Sequence, residues 1–368
     1  MEWLLLILLF SACLAGFVLF RRNTVPAPPP GRVPQGRLSV IIPARNEETN
    51  LPFLLSSLQI QTRQPFEVIV VDDCSEDRTR ETAERYGVKV IAGSPPPAGW
   101  TGKNWAVWNG YRQAAGDLVA FLDADVRLAP HALEALLAAR EAAGGAVSVV
   151  PYHVTEKFYE KLALISNLLG LFAFTSPLER KNPNQGLYGS CIVASRDDYE
   201  RAKGHESVRS ELMDDLKLGA QFRKAGIPVT NYIGRGTVAF RMYPGGIKSE
   251  VEGFSKGALL GTGKLRLGTT LLIAIWLIGL LLAEAAPLAF AFASSWWLPL
   301  AAGYALYTIQ LYYFVRYTGR FGKWLPAVHG LSAVFFLFIM LHSIYQVVFH
   351  GHVAWKGRQV EVRGRSGR

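Results

Sequence analysis

Short β-branched runs alternate with segments of helical spacing between Arg37 and Val150. Leu38-Ser39-Val40-Ile41-Ile42-Pro43, Phe66 to Val71 and Leu118 to Leu122 read as strands, and Val88 to Ile91 and Ala146 to Val150 as weaker copies. Between them, Asn50 to Gln61, Asp77 to Tyr86, Lys103 to Ala115 and Pro130 to Ala143 carry apolar residues at the period of a helix. Alternating strand and helix predict an α/β fold, a mostly parallel sheet covered on both faces. Ligands of such sheets bind beyond the carboxyl ends of the strands. After Val150 the pattern is less regular. Phe158 to Phe174 reads as one helix with a broad apolar face, suited either to a core or to the surface of a bilayer.

The ends of the chain follow another pattern. Trp3 to Phe20 is uncharged and precedes Arg21-Arg22, long enough for a spanning helix of ~20 residues. A cleaved signal peptide would carry its basic residues ahead of the apolar run, so a retained anchor is the preferred reading. From Leu267 to Val315 the only charge is Glu284, which allows two spans joined near Ser294-Ser295-Trp296-Trp297; Pro326 to Phe349 is a further uncharged run. Arg21, Arg22, Arg316, Arg320 and Lys323 place the middle of the chain in the cytoplasm of a multi-pass membrane protein by the positive-inside tendency. Four full spans would put the basic tail outside, against that tendency, so one late segment is expected to be re-entrant or interfacial. The divisions are an anchor at 1–22, a proline-rich linker at 23–36, a folded domain at 37–265, membrane segments at 266–350 and a basic tail at 351–368.

Charge and cysteine usage narrow the classes further. The formal net charge is +10, but much of the basic excess flanks apolar spans, and attraction to anionic lipid explains it more simply than nucleic-acid binding. The basic residues are not interleaved with aromatics in one soluble patch, so no nucleic acid is expected as a partner. Three scattered cysteines form neither a disulfide framework nor a metal knuckle.

Three strand ends are chemically loaded: Pro43-Ala44-Arg45-Asn46-Glu47, Asp72-Asp73 and Asp123-Ala124-Asp125. Neither a G-x-G-x-x-G turn nor a P-loop follows the first strand, so phosphates would be held by metal and cationic side chains. On an extended segment, Asp123 and Asp125 point the same way and can meet on one divalent cation, or on a ribose and a cation. The competing reading is a strand end that caps the next helix.

Val40 to Glu47, then Val70-Val71-Asp72-Asp73-Cys74-Ser75, then Gly102-Lys103 through Asn109-Gly110, then Asp123-Ala124-Asp125 together resemble the family 2 glycosyltransferases, over about Arg37 to Gly226. The resemblance implies a GT-A (Rossmann-like) cytoplasmic domain with N- and C-terminal membrane helices, and a nucleoside diphosphate sugar, usually a UDP-sugar, as donor. Residue by residue it implies that Asp72 contacts the base and that Pro43 to Arg45 support the nucleoside with Glu47 nearby. Asp123 would face the ribose or metal, and Asp125 would ligate Mg²⁺ or Mn²⁺ on the diphosphate, with Lys103 as a second positive group. In Ser210 to Gly219 the family's acidic pair falls on Asp214-Asp215, which gives Asp215 the role of base toward the acceptor hydroxyl.

One departure is informative. No Q-x-x-R-W string of the polymer-extending synthases occurs; Gly253-Phe254-Ser255-Lys256-Gly257 stands in that region and resembles a Gly-Trp-Ser-Lys element of non-processive lipid and carotenoid glycosyltransferases. Pro97 to Lys103 and Trp355-Lys356-Gly357-Arg358 resemble the carotenoid- and hopanoid-associated group as well. The implied activity is inverting transfer of one sugar to a lipophilic isoprenoid acceptor at the bilayer. Polyprenyl-phosphate sugar synthesis and an inactive sugar-nucleotide-binding scaffold are the alternatives.

Overall fold

The computed structural model describes residues 2–28, 31, 34–260, 265–346, 349, 352–355 and 358–361. Lys356, Gly357 and residues 362–368 of the basic tail lie outside the described residues, as does the side chain of Lys256. The chain forms two compact units, Asn23–Tyr152 with Pro183–Met242, and Met1–Arg22 with His153–Asn182 and Tyr243–Arg368. Residues 153–182 thus join the two ends of the chain, although they lie inside 37–265.

The first of these units is built on a seven-stranded sheet. Leu38–Ala44, Glu67–Asp72, Lys89–Ala92, Leu118–Leu122, Ala146–Val150, Cys191–Ser195 and Val229–Ile233 lie in the spatial order 89–92, 67–72, 38–44, 118–122, 191–195, 146–150, 229–233. All neighbouring pairs are parallel except those made by 191–195, which is antiparallel to both of its neighbours. The expected strands are all present, within two residues at either end. Helices cover the sheet as the alternation predicts: Leu51–Gln59 and Ala132–Ala143 on one face, Gly102–Arg112 on the other. Val40, Ile42, Val70, Ala120 and Leu122 point into the first of these cores, and Ile41, Val119 and Phe121 into the second. Both faces of each central strand are therefore apolar, which is why these strands read as continuous hydrophobic runs and not as alternating ones. A small antiparallel ladder, Val126–Leu128 with Val238–Phe240, follows the Leu118–Leu122 strand in the chain.

In the second unit, Glu2–Leu19 packs against Leu267–Ala283 and Trp297–Thr318. Gln310, buried among them, accepts a hydrogen bond from Trp276 Nε1 (2.7 Å) and donates to the Cys13 carbonyl (2.6 Å). One amide thus ties three apolar helices together. Glu2–Leu19 and the stretch Leu267–Ala291 are long and apolar enough to cross a membrane. Their outward faces carry Trp3, Leu4, Ile7, Leu271, Ile275 and Ile278. The single helix expected over 158–174 is two, Phe158–Leu162 and Leu164–Thr175, broken at Ala163, where ψ turns to 9°. Leu164, Ile165, Leu168, Leu171 and Phe172 are buried, so the apolar face of the longer helix serves as core.

Candidate functional site

Leu38–Ala44 and Glu67–Asp72 run in parallel with Ala44 opposite Asp72, so the loops that follow them leave the sheet side by side. The two loops are laced together. Asp73 N–H donates to Ala44 O (2.8 Å), Asn46 N–H to Ser75 Oγ (3.0 Å) and Glu76 N–H to Asn46 Oδ1 (2.9 Å). Asn46 and Cys74 both sit in the left-handed region, with φ 53° and 55°. That conformation costs roughly 1–2 kcal/mol for a residue other than glycine, and the lacing holds it. Arg45 donates through Nη1 to Asp73 O (3.0 Å), and the buried Asp72 carboxylate accepts from Ser75 N–H (3.1 Å). Glu47 is engaged at the start of the Leu51–Gln59 helix: its Oε2 accepts from Asn50 Nδ2 (3.0 Å), and its carbonyl accepts from Asn50 and Leu51 N–H.

The Gly102–Arg112 helix starts on a Thr101 cap, whose Oγ1 accepts from Asn104 N–H (3.3 Å). Its second residue, Lys103, reaches Asp123 Oδ1 at 2.8 Å. Burial alone would push the Lys103 amine down, but Asp123, Asp214 and Asp215 outweigh it and hold the ammonium above its usual range. Asp123-Ala124-Asp125 is a turn, not an extended segment: Val126 N–H donates to Asp123 O (3.1 Å). The convergence of its two carboxylates therefore does not come from strand alternation. Backbone bonds fix the turn, from Asp123 N–H to Ser190 O (3.0 Å) and from Arg241 N–H to Asp125 O (3.2 Å).

Asp214 and Asp215 open the Asp214–Lys224 helix. Asp215 Oδ2 accepts from Gly189 N–H (3.0 Å) and Oδ1 from Leu216 N–H (2.9 Å), which fixes the carboxylate's direction. Gly219, one turn on, lets the helix approach the backbone of Gln185 to Leu187; a Cβ there would stand 2.6 Å from Leu187 N. Asp123, Asp125 and Asp215 act together on one half-buried group, the Tyr188 phenol. Burial first, then these three carboxylates, push it well above its ordinary range. Four of the eight residues singled out from sequence, Lys103, Asp123, Asp125 and Asp215, thus gather at one crevice beyond the carboxyl end of the Leu118–Leu122 strand. Pro43 joins them: it lines a small hollow with Lys103, Asp123, His205 and Asp214. A larger open depression of about 420 Å³, between Glu48 and Arg78 and floored by Thr82 and Tyr86, is separate from this crevice.

Residues 39–202 match the model of Glycosyl transferase family 2. The chain is 35% identical over 333 residues to the 4,4'-diaponeurosporenoate glycosyltransferase of Staphylococcus aureus strain USA300, covering 88% of each chain. The protein of the same name from strain MRSA252 is 36% identical over 337 residues, again 88% of each. The chain belongs to glycosyltransferase family 2. Among solved structures, a mannosyltransferase from Pyrobaculum calidifontis, in complex with GDP-Man and Mn²⁺, matches at a TM-score of 0.53 and 19% identity, over 95% of this chain and 99% of that one. The fold is that of the GT-A glycosyltransferases, as the family resemblance implies.

The strands at 38–44, 67–72 and 118–122 run parallel, so the three loaded ends lie on one side of the sheet. Sequence reading missed His205 and Tyr199, buried beneath the crevice, and Asn104, which ties Lys103's helix to the segment leading to the acidic pair. Neither a motif nor a local pattern marks them. Their partners lie far away in the chain or across a turn that only the fold creates.

Proposed function

We propose that this protein transfers a hexose, with inversion, from a UDP-sugar to a carotenoid-type or other isoprenoid acceptor at a membrane. The observation that carries the reading is the gathering of Lys103, Asp123, Asp125 and Asp215 about the Tyr188–Ser190 segment in a family 2 glycosyltransferase: Lys103 pairs with Asp123, Asp123 N–H donates to Ser190 O on the turn that also holds Asp125, and Asp215 accepts from Gly189 N–H. Asp72, Pro43, Arg45 and Glu47 are assigned to the nucleoside side, in support of which Pro43 and Asp72 end the first two strands and Arg45 and Glu47 lie on the loop after the first.

Asp123 and Asp125 offer hard carboxylate oxygens of the kind that Mg²⁺ or Mn²⁺ prefers. Among the described residues no three His, Cys, Asp or Glu form a closed metal cage, so other positions would fall to diphosphate and water, as is usual for such ions. When bound, the cation would neutralise charge on the leaving diphosphate. Lys103 adds a fixed positive charge on the same side. Asp215 is oriented by Gly189 and Leu216 to take the proton of an attacking hydroxyl.

The relatives' name denotes a carboxylate acceptor. A carboxylic acid with a pKa near ~4 arrives ionised, and Asp215 then orients it and removes no proton. The apolar helices Glu2–Leu19 and Leu267–Ala291 support a membrane location, with the sheet unit in the cytoplasm and the later helices completing a multi-pass arrangement. The test is transfer by the full chain in membranes, from UDP-glucose, UDP-galactose and GDP-mannose, to a carotenoid carboxylic acid, an isoprenoid alcohol and a polyprenyl phosphate. UDP-dependent labelling of the first or second acceptor is expected. Labelling of the polyprenyl phosphate alone would replace this reading with polyprenyl-phosphate sugar synthesis.

A further inference from the structure

Beneath the crevice lies a buried chain of polar groups with no assigned role. The turn at Lys203–Gly204, where both residues have positive φ, folds His205 back under the Tyr199 ring. Tyr199 Oη accepts from the His205 backbone N–H at 2.9 Å and lies 2.7 Å from His205 Nδ1. On the other side of the imidazole, Nε2 stands 3.7 Å from Asp214 Oδ2. Tyr199, His205 and Asp214 are all buried.

The proton positions follow from these contacts. The Tyr199 hydroxyl has one proton and, among the described residues, Nδ1 as its hydrogen-bond acceptor. If Nδ1 carried the ring proton, the buried hydroxyl would lose its acceptor and the Nε2 lone pair would face a carboxylate. Both arrangements are unfavourable. The phenol therefore donates to Nδ1, and the ring proton sits on Nε2, facing Asp214. Burial keeps the ring neutral, although Asp214 opposes it.

We propose that His205 is a positioning residue for the acidic pair: its Nε2–H, fixed by Tyr199, holds the Asp214 carboxylate toward Lys103 and so sets how the first turn of the helix presents Asp215. The 3.7 Å separation closes to a hydrogen bond with a shift of under ~1 Å, the tightening expected when a site fills. Asp214, Lys103 and His205 line one hollow, so the shift needs no rearrangement of the fold.

The inference rests on the glycosyltransferase reading above, and two experiments separate them. In the full chain labelled with ¹⁵N-histidine in detergent, the ring signals lost in His205→Gln should report a neutral Nε2–H tautomer, and Tyr199→Phe should shift them toward the Nδ1–H form. An Nδ1–H or cationic His205 at pH 7 would overturn the inference whatever the enzyme's donor. In transfer from UDP-glucose to an isoprenoid lipid extract with Mn²⁺, His205→Leu should lower kcat by about 10- to 100-fold with little change in donor KM. His205→Gln, whose amide N–H replaces Nε2–H, should recover most of that loss. Equal turnover by His205→Leu and wild type would also overturn it. Absence of transfer by wild type would count against the catalytic reading, and the tautomer would still decide this one.

Discussion

Lys103 Nζ stands 2.8 Å from Asp123 Oδ1, joining the start of the Gly102–Arg112 helix to the turn after the Leu118–Leu122 strand. The pair directly links two motifs that lie 20 residues apart in the sequence, and it sits where donor phosphates are proposed to bind. Its side chains are 41% and 28% exposed, so its worth to stability is small, about 0–1 kcal/mol. Its worth should instead appear in binding. Lys103→Met is expected to weaken UDP binding about tenfold or more, with a thermal midpoint within about 2 °C of wild type. Calorimetric titration of UDP and thermal melting read the two effects separately.

Asn104 presents the opposite balance. Its amide, fully buried, donates to the carbonyls of Val208 (2.8 Å), Glu211 (3.1 Å) and Arg209 (3.3 Å), and so fastens the helix to the segment that leads into Asp214 and Asp215. Asn104→Ala removes all three donations, although Val208 O keeps the Glu211 N–H and Arg209 O the Thr101 N–H. A loss of about 1–3 kcal/mol is expected, seen as a lower denaturant midpoint at unchanged slope.

Gly110 closes the same helix against the sheet. A Cβ at this position would stand 2.6 Å from Ile41 Cγ2 and 2.9 Å from Val71 Cγ2, both on central strands. Gly110→Ala should therefore destabilise by about 1–3 kcal/mol despite the better helix propensity of alanine. A stabilised variant would contradict the packing described.

The pH dependence follows from His205. Unfolded, a histidine titrates near ~6.5; in the fold, burial, partly opposed by Asp214, lowers His205 to about 4. Over that window the native state binds fewer protons than the unfolded chain. This contribution to stability is thus complete above about pH 6.5 and is lost as pH falls toward 4. His205→Gln removes the titration, so its melting temperature should fall less steeply than that of wild type between pH 7 and pH 5.

Much of the sheet unit was legible because its information is local. Val40-Ile41-Ile42 and Ile69 to Val71 are buried on both faces, and such runs announce central strands. Cys191–Ser195 was not legible, although it lies mid-sheet. The run is short, follows an irregular loop and pairs antiparallel to strands distant in the chain. The assignment of 158–174 to one helix failed at Ala163, where no proline or glycine marks the break. Asp123 and Asp125 illustrate a subtler gap. The sequence indicated that both carboxylates belong to the site, but an extended segment was the wrong geometry for it; a turn held by Ser190 and Arg241 replaces it. The Tyr199–His205 pair needed the fold itself, since a positive-φ turn brings them together.

Asp125 and Asp215 are proposed to serve metal-dependent sugar transfer to an isoprenoid acceptor. The most direct measurement is labelled-sugar transfer by membranes containing wild type, Asp125→Asn or Asp215→Asn, with Mn²⁺ and after chelation, to an isoprenoid alcohol and to a carotenoid carboxylic acid. Chelation and Asp125→Asn should each abolish transfer to both acceptors. Asp215→Asn should lower turnover on the alcohol by about 10²- to 10⁴-fold, and on the already ionised acid by less. Transfer that survives both chelation and Asp125→Asn, or that is equally insensitive to Asp215→Asn on both acceptors, would contradict the claim.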